Sequence, residues 1–194
     1  MGTRGLMAFA YDGEVKGMYN HFDSYPSGLG QFLVKFLIGQ AGDYTSAKER
    51  IKNLTAVDED TAPTEDQKLA LLRYYDPKVS TGSTDEWYAL LRETQGDPSA
   101  TLNAGFYLDG LDFAHDSLFC EWGYVLDFDR EVVEVYQGFQ KSPATAGRFA
   151  ADNRSSSSGY HSINLIKEFT FAELLEDPII MSSLEDELDE DEDY

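Results

Sequence analysis

The chain is poor in cysteine and in positive charge. Its 194 residues include one cysteine, Cys120, so no disulfide can form within the chain. Phe119 and Trp122 lie beside Cys120, and such apolar neighbours predict a buried, unreactive thiol. Only 15 lysines and arginines stand against 36 aspartates and glutamates, a formal net charge of −21. This balance disfavours direct nucleic-acid binding, because phosphate contacts require lysine and arginine.

Long hydrophobic runs are also lacking. No stretch of about 18 uncharged apolar residues occurs, so no membrane-spanning helix and no membrane partner are predicted. The first residues lack the apolar segment of a secretory signal, which favours a cytoplasmic protein. A hydrophobic content of 42% is sufficient for one domain with a sizeable core.

The acidic residues concentrate at the C-terminus, where eight of them lie in residues 184–194. So few apolar groups cannot offset the entropy lost on ordering. We therefore expect a single domain over residues 1–180 and an acidic, disordered tail over 181–194. Any order in the tail should come from a basic partner or from contacts of Leu184 and Leu188. An alternative is an acidic surface that mimics a nucleic-acid backbone and occupies a basic protein.

Strands are predicted near both ends of the chain and helices in the middle. Asp12-Gly13 favours a tight turn between strands, and Asp129-Arg130 separates two further β-rich runs. The predicted strands are 3–11, 15–19, 121–128, 131–138 and 162–169. The predicted helices are 44–54, 65–75, 84–93 and 170–175, with Thr64 and Thr170 as N-caps and Ser83 with Glu86 as a capping box. The apolar run 31–38 suits a buried helix, but its length also allows a strand. The fold class is therefore α+β, with an antiparallel sheet built mainly from the two hairpins and helices packed on it.

A polar and aromatic cluster over Tyr19–Gly30 follows the first hairpin. Such a cluster at the end of a strand is a common place for a site. His21 and Asp23 are two residues apart, a spacing that places both on one face of an extended strand. The catalytic candidates are Thr3, His21 and Asp23. The ligand-binding candidates are Arg4, Asn20, His21, Asp23, Ser24 and Tyr25.

The same cluster has a purely structural interpretation. Asp23 is well placed to accept backbone N–H bonds within a turn, and Pro26 and Gly28 are typical turn residues. A metal site needs three or four ligands, and the other histidines, His115 and His161, lie in unrelated contexts. No metal and no cofactor are therefore assigned.

Two resemblances to known families involve these residues. Thr3-Arg4-Gly5, the Asp12-Gly13 turn and Tyr19–Gly30 resemble the opening of a family of uncharacterised proteins from bacteria, phages and fungi. Residues 123–129 and 135–139 resemble the second hairpin of that family. This resemblance implies membership of a family without an assigned activity.

The second resemblance is to N-terminal nucleophile hydrolases of the bile-salt-hydrolase type. Thr3-Arg4 and Asp23 match positions of that family, but Gly2 stands where the family has its nucleophilic cysteine. Glycine has no thiol or hydroxyl for attack, and Thr3 would lead the chain only after removal of both preceding residues. The resemblance therefore implies a layered α+β fold rather than an activity.

Two hypotheses of function follow. The first is a non-enzymatic interaction or regulatory protein that holds a basic protein partner with its acidic surface and the 19–30 loop. Such a protein would be intracellular and could be encoded by a phage. The second is a hydrolase or small-ligand-binding enzyme. Its pocket would lie between the 19–30 loop and the first strand, with Arg4 pairing a ligand carboxylate or phosphate. The sequence gives no oligomeric state.

Overall fold

A computed structural model describes residues 2–152 and 156–192 and confirms the α+β class. Within these residues, five strands form one mixed sheet in the order β2-β1-β5-β6-β7, and two short strands form a second. The strands are β1 (Gly5–Tyr11), β2 (Glu14–Asn20), β3 (Thr55–Ala56), β4 (Phe106–Tyr107), β5 (Trp122–Asp127), β6 (Val132–Gln137) and β7 (Asn164–Thr170). The resemblance to N-terminal nucleophile hydrolases stays a prediction.

Both predicted hairpins are present, and their turns touch. Asp12 and Gly13 both have positive φ, as a two-residue hairpin turn requires. The Asp129 carboxylate, in the turn of the second hairpin, accepts the N–H groups of Asp12 and Gly13 at 3.2 and 3.3 Å. The two turns are thereby held at the same end of the sheet.

The hairpins join through a parallel pair, which the sequence analysis did not predict. Strand β1 pairs with β5 in parallel, with Gly5 opposite Trp122 and Ala10 opposite Asp127. A parallel pair needs a long connection, and here the connection contains the middle helices. The sheet is therefore mixed rather than wholly antiparallel.

The helices pack chiefly on one face of this sheet. They are α1 (Gln31–Gly39), α2 (Thr45–Asn53), α3 (Glu65–Leu71), α4 (Trp87–Leu90), α5 (Pro98–Ala104), α6 (Phe171–Glu176) and α7 (Ile180–Glu192). The main core joins Leu33 and Leu37 of α1 to Phe9, Tyr124 and Leu126 of the central strands. Within the described residues, no helix is both long enough and apolar enough to cross a bilayer.

Local capping signals located two helices correctly and one wrongly. Thr64 and Thr170 each form a complete capping box, with Gln67 and Glu173 respectively. The predicted box at Ser83 is wrong, because Ser83 Oγ accepts the N–H of Asp85 and the helix is only Trp87–Leu90. Helix α3 likewise ends at Leu71, and a 3₁₀ turn over Leu72–Tyr74 follows it. Helix α5 was not predicted, although Asp97 caps it with a 2.9 Å bond from the Ala100 N–H.

The opposite face of the sheet is covered by irregular segments and holds a buried charge network. Arg148 donates from Nε to Glu134 Oε2 at 2.7 Å and from Nη2 to Asp127 Oδ2 at 2.9 Å. The Tyr136 hydroxyl donates to the same Glu134 oxygen at 2.6 Å. Because Glu134 and Asp127 are buried on the sheet, these bonds fasten the segment containing Arg148 across it.

A satellite cluster beside the main core determines where the candidate site lies. Leu71, Tyr74, Trp87, Leu90 and Leu91 pack together apart from the main core. The Trp87 Nε1–H donates to the carbonyl of Thr61 at 2.8 Å, which fixes the preceding loop on this cluster. The chain that follows the cluster then passes beside the end of β2, as described below.

The expectation of a disordered tail over 181–194 disagrees with the structure at residues 181–192. Helix α7 covers Ile180–Glu192, and it packs Met181 and Leu184 into the main core, with Leu188 partly buried against it. The Ser27 N–H also donates to Glu185 Oε2 at 2.9 Å. Burial of these apolar side chains offsets the repulsion among the acidic side chains of the tail. Residues 193 and 194 lie outside the described part of the chain.

Replacing Leu184 by alanine tests this correction. Leu184 is 4% exposed in the core, and a buried Leu→Ala change usually lowers the free energy of unfolding by about 2–5 kcal/mol. For a chain of this size we expect the Tm to fall by about 4 °C or more, measured by thermal melting. Leu69→Ala is the matched control, because Leu69 is 70% exposed and its loss should leave the Tm almost unchanged. Equal melting of the two variants would restore the disordered-tail hypothesis.

Candidate functional site

Asn20, the last residue of β2, connects two loops. Its buried Nδ2 donates to the Phe22 carbonyl at 2.6 Å and to Ser24 Oγ at 2.8 Å. Gly96 approaches it from the other side, so closely that a Cβ on Gly96 would lie 2.8 Å from Asn20 Oδ1. Gly96 also has a φ of +72°, which glycine adopts without strain. Asn20 therefore holds the 21–25 loop by hydrogen bonds and packs closely against the loop before α5.

Ser24 fixes the same loop to the central sheet. Its side chain is fully buried, and its N–H donates to the carbonyl of Thr3 at 3.1 Å. Its own carbonyl accepts the hydroxyl of Tyr124, on strand β5, at 2.9 Å. Burial raises the pKa of Tyr124 well above its usual 10.0, which keeps this hydroxyl a donor. Ser24 is thus a structural anchor of the site.

Asp23 acts through its main chain rather than as the predicted side-chain cap. Its carbonyl accepts the Leu29 N–H at 2.8 Å, closing the turn that leads into a π-helix over Pro26–Gly30. A Cβ on Gly28 would lie 2.2 Å from that carbonyl, so only glycine fits there. The Asp23 carboxylate is exposed, and its charge contributes most to the raised pKa of the Tyr25 hydroxyl. Within the described residues it accepts no backbone N–H bond.

His21 lies among aromatic rings and two positive charges. Its Nδ1 is 2.7 Å from the Tyr19 hydroxyl, and its ring meets the Phe22 ring edge-on at 4.2 Å between centroids. Partial burial, together with the charges of Arg92 and Arg4, lowers the pKa of His21 below its usual 6.5. The neutral imidazole is therefore the favoured form at neutral pH.

The two arginines rest on aromatic faces. Arg4 Cζ is 4.7 Å from the centroid of the Phe119 ring, and Arg92 Cζ is 5.4 Å from that of Phe22. Arg92 also donates to Gln95 Oε1. Within the described residues, neither arginine forms an ion pair.

A cleft of about 380 Å³, here called the acidic cleft, opens beside the 19–30 loop. It lies between that loop and the segment that leads into α5. Two phenylalanines on its rim, Phe22 and Phe32, are 53% and 56% exposed. Four carboxylates and one guanidinium line it, a formal excess of three negative charges. The charged lining residues are Asp23, Asp76, Glu93, Asp97 and Arg92.

The structure divides the predicted site residues into two groups. Asn20 and Asp23 line the acidic cleft. Thr3, Arg4, His21, Ser24 and Tyr25 are not among its lining residues. Strand β2 ends at Asn20, so His21 and Asp23 do not share a strand face as their spacing suggested. The cleft thus brings Asn20 and Asp23 together with a segment that is distant in the chain. It includes neither of the other two catalytic candidates, Thr3 and His21.

The other side of the cleft was missed in the sequence. Asp76, Arg92, Glu93 and Asp97 face the 19–30 loop only because the satellite cluster packs beside the first hairpin. One local signal was available: Asp97 before Pro98 is a typical N-cap followed by proline at the first helical position. That signal locates helix α5, but it does not show which loop lies opposite.

The contacts of His115 have a structural role. His115 Nδ1 is 2.7 Å from Ser162 Oγ, and His115 Nε2 is 3.8 Å from Asp152 Oδ2. Ser162 is only 2% exposed and also donates to the carbonyl of Asp152, so its hydroxyl holds two segments together.

Cys120 is fully buried, and burial raises the pKa of its thiol, as the apolar neighbours predicted. Among the described residues, no group of three acidic, histidine or cysteine side chains is placed to hold a metal ion.

Comparison with family models, with curated proteins and with solved structures found no match to this chain. The two family resemblances therefore stay predictions, and the function must be argued from the site itself.

Substitution of Asp23 distinguishes its main chain from its carboxylate. The residue has a φ of +52°, a left-handed conformation that Asp and Asn tolerate better than alanine does. We expect Asp23→Ala to lower the free energy of unfolding by about 1 kcal/mol and Asp23→Asn to leave it unchanged, measured by urea denaturation. If Asn destabilised the fold as much as Ala, the carboxylate would be the stabilising group, as the sequence analysis proposed.

The pKa of His21 should respond to Arg92. Removing that positive charge by Arg92→Gln should raise the pKa of His21 towards 6.5, measured by an NMR titration of the imidazole. Because the folded pKa is the lower one, His21 contributes stability that is present above pH 6.5 and is lost as the pH falls through its folded pKa. Arg73→Gln is the control, since Arg73 packs on Tyr74 instead. An unchanged pKa in Arg92→Gln would place Arg92 too far away to act.

Proposed function

We propose that this chain is a non-enzymatic binding protein that holds a basic segment of a partner protein in the acidic cleft. The observation that carries this proposal is the excess of carboxylates beside two exposed phenylalanine rings in a cleft of about 380 Å³. A lysine or arginine side chain combines an apolar stem with a charged head. It can pack on the rings while its charge meets the carboxylates.

The charge of the whole chain supports the same conclusion. A net charge of −21 attracts basic partners from a distance and accelerates their association, an effect that salt weakens. The same charge repels a phosphate backbone, so a basic protein fits better than a nucleic acid. Phe22 and Phe32 add apolar contact, which charge attraction alone would not supply.

The hydrolase hypothesis receives less support from this geometry. A hydrolytic site requires a nucleophile and a base within hydrogen-bonding distance of each other, in a cavity that admits the substrate. Asp23 lines the acidic cleft, whereas Thr3 and His21 are not among its lining residues. His21 Nδ1 is instead engaged with the Tyr19 hydroxyl.

A labelled peptide of alternating arginine and glycine tests the proposal by fluorescence anisotropy. We expect it to bind at low salt and to be released at high salt, while a glutamate–glycine peptide does not bind. Removing two cleft charges by Asp23→Asn with Glu93→Gln should weaken binding by roughly three- to tenfold, since an exposed charge pair contributes about 0.2–1 kcal/mol.

The matched control removes two charges elsewhere, by Glu49→Gln with Glu176→Gln. Both glutamates are exposed and lie outside the cleft lining, so the net charge changes equally in the two double variants. We expect the control to bind almost as the parent protein does. Equal weakening in both would show that only net charge matters and that the cleft is not the site. Absence of binding at low salt would refute the proposed function altogether.

A further inference from the structure

A second cavity, of about 220 Å³ and here called the tyrosine pocket, lies next to the acidic cleft. Gln95 lines both cavities, so the two are neighbours separated by its segment. Three tyrosines and two carboxylates line the tyrosine pocket, together with apolar groups. These five residues are Tyr19, Tyr88, Tyr107, Glu59 and Asp109. The volume is below the roughly 300–1,000 Å³ of pockets for drug-sized ligands and suits a single side chain.

The aromatic walls are held in place by packing. Tyr107 is buried in strand β4, and Tyr19 packs edge-on against Phe113 with centroids 5.1 Å apart. Tyr88 lies near Tyr19, because its charge contributes, after burial, to the raised pKa of the Tyr19 hydroxyl. Rings fixed in this way need no reordering when a ligand enters, which favours binding. The faces of such rings attract cations.

Within the pocket, the Asp109 carboxylate lies near Tyr107, whereas the two arginines lie near Tyr19 and Tyr88. Asp109 raises the pKa of Tyr107, second only to burial, which places its charge near that ring. Its Oδ1 accepts the Leu111 N–H at 3.0 Å, a bond that orients the carboxylate. Arg4 and Arg92 both act on Tyr19, and Arg92 Cζ lies 5.8 Å from the centroid of the Tyr88 ring. Within the described residues, neither Glu59 nor Asp109 forms an ion pair.

We propose that the tyrosine pocket binds one arginine side chain of the basic partner, with the guanidinium group beside Tyr107 and Asp109 and attracted also by Glu59. A guanidinium is planar, stacks on aromatic faces and donates hydrogen bonds in several directions, so it suits rings combined with two carboxylates. This inference rests on the proposed function, because the adjacent acidic cleft would hold the neighbouring part of the same segment. The tyrosine pocket would give the protein its preference for arginine over lysine.

The probe is N-acetyl-arginine methylamide, followed by NMR chemical shifts of the whole protein. We expect shifts at Tyr107 and Asp109 that saturate with concentration. N-acetyl-norleucine methylamide, which lacks the charge, should leave these signals unchanged. Glu59→Gln with Asp109→Asn should weaken binding of the arginine probe by about three- to tenfold. Asparagine at 109 can still accept the Leu111 N–H, so the loop should be preserved. Shifts that do not saturate, or that norleucine reproduces, would overturn the proposal.

A second variant and a peptide comparison separate this inference from the proposed function. Tyr107→Leu keeps apolar volume but removes the aromatic face beside Asp109, and it should weaken the arginine probe by about three- to tenfold, with thermal melting used to confirm that the variant is folded. In the anisotropy assay, an arginine–glycine peptide should bind at least threefold more tightly than a lysine–glycine peptide, and the Glu59→Gln, Asp109→Asn variant should abolish the difference. Equal binding of the two peptides would overturn the pocket but leave the acidic cleft intact. Loss of all peptide binding, with the arginine probe still bound, would overturn the proposed function alone.

Discussion

The parallel pairing of β1 with β5 is the constraint on which the rest of the structure depends. It joins two hairpins that are more than a hundred residues apart in the chain, with Gly5 opposite Trp122. Each hairpin alone would be only marginally stable, and the five-stranded sheet gives the helices a surface to cover. The same pairing places Tyr124 beneath the 19–30 loop, where its hydroxyl holds the Ser24 carbonyl.

The candidate site exists because two packed units meet beside that loop. The main core positions Asn20 and Asp23, and the satellite cluster positions Glu93 and Asp97. At the junction Asn20 and Gly96 lie so close that a Cβ on Gly96 would be 2.8 Å from Asn20 Oδ1, so the two sides of the acidic cleft pack directly against each other there. A cleft made in this way is largely preformed, which reduces the entropy that any ligand would lose on binding.

The distribution of positive charge sets the surroundings of the 19–30 loop. Arg4 and Arg92 pack on aromatic rings in a chain whose acidic residues far outnumber its basic ones. Burial, followed by the charges of Arg92 and Arg4, lowers the pKa of His21 below its usual 6.5, and the Tyr19 hydroxyl engages its Nδ1. Asp23, Glu93 and the rings of Phe22 and Phe32 are exposed to solvent in the same region.

Predictions from the sequence were most often correct where the stabilising contact lies within a few residues along the chain. The capping boxes at Thr64 and Thr170 were predictable because both partners lie within one helical turn. The box at Ser83 failed because Ser83 bonds to Asp85 instead and Glu86 Oε2 takes the Thr81 N–H, so the helix begins later. The structural role of the 19–30 turn was recognised, but its stabilising groups were assigned to the Asp23 carboxylate rather than to its carbonyl and to Ser24.

By itself, the sequence determined the α+β class, the two hairpins, the acidic character and the 19–30 loop that supplies Asn20 and Asp23 to the acidic cleft, since each depends on neighbouring residues or on composition. Only the tertiary structure decided the parallel strand pair, the far side of the acidic cleft and the order of α7. Each of these depends on contacts between residues far apart in the chain. For α7, burial of Met181 and Leu184 outweighs a local composition that opposes folding. No local pattern contains the surface against which those side chains pack.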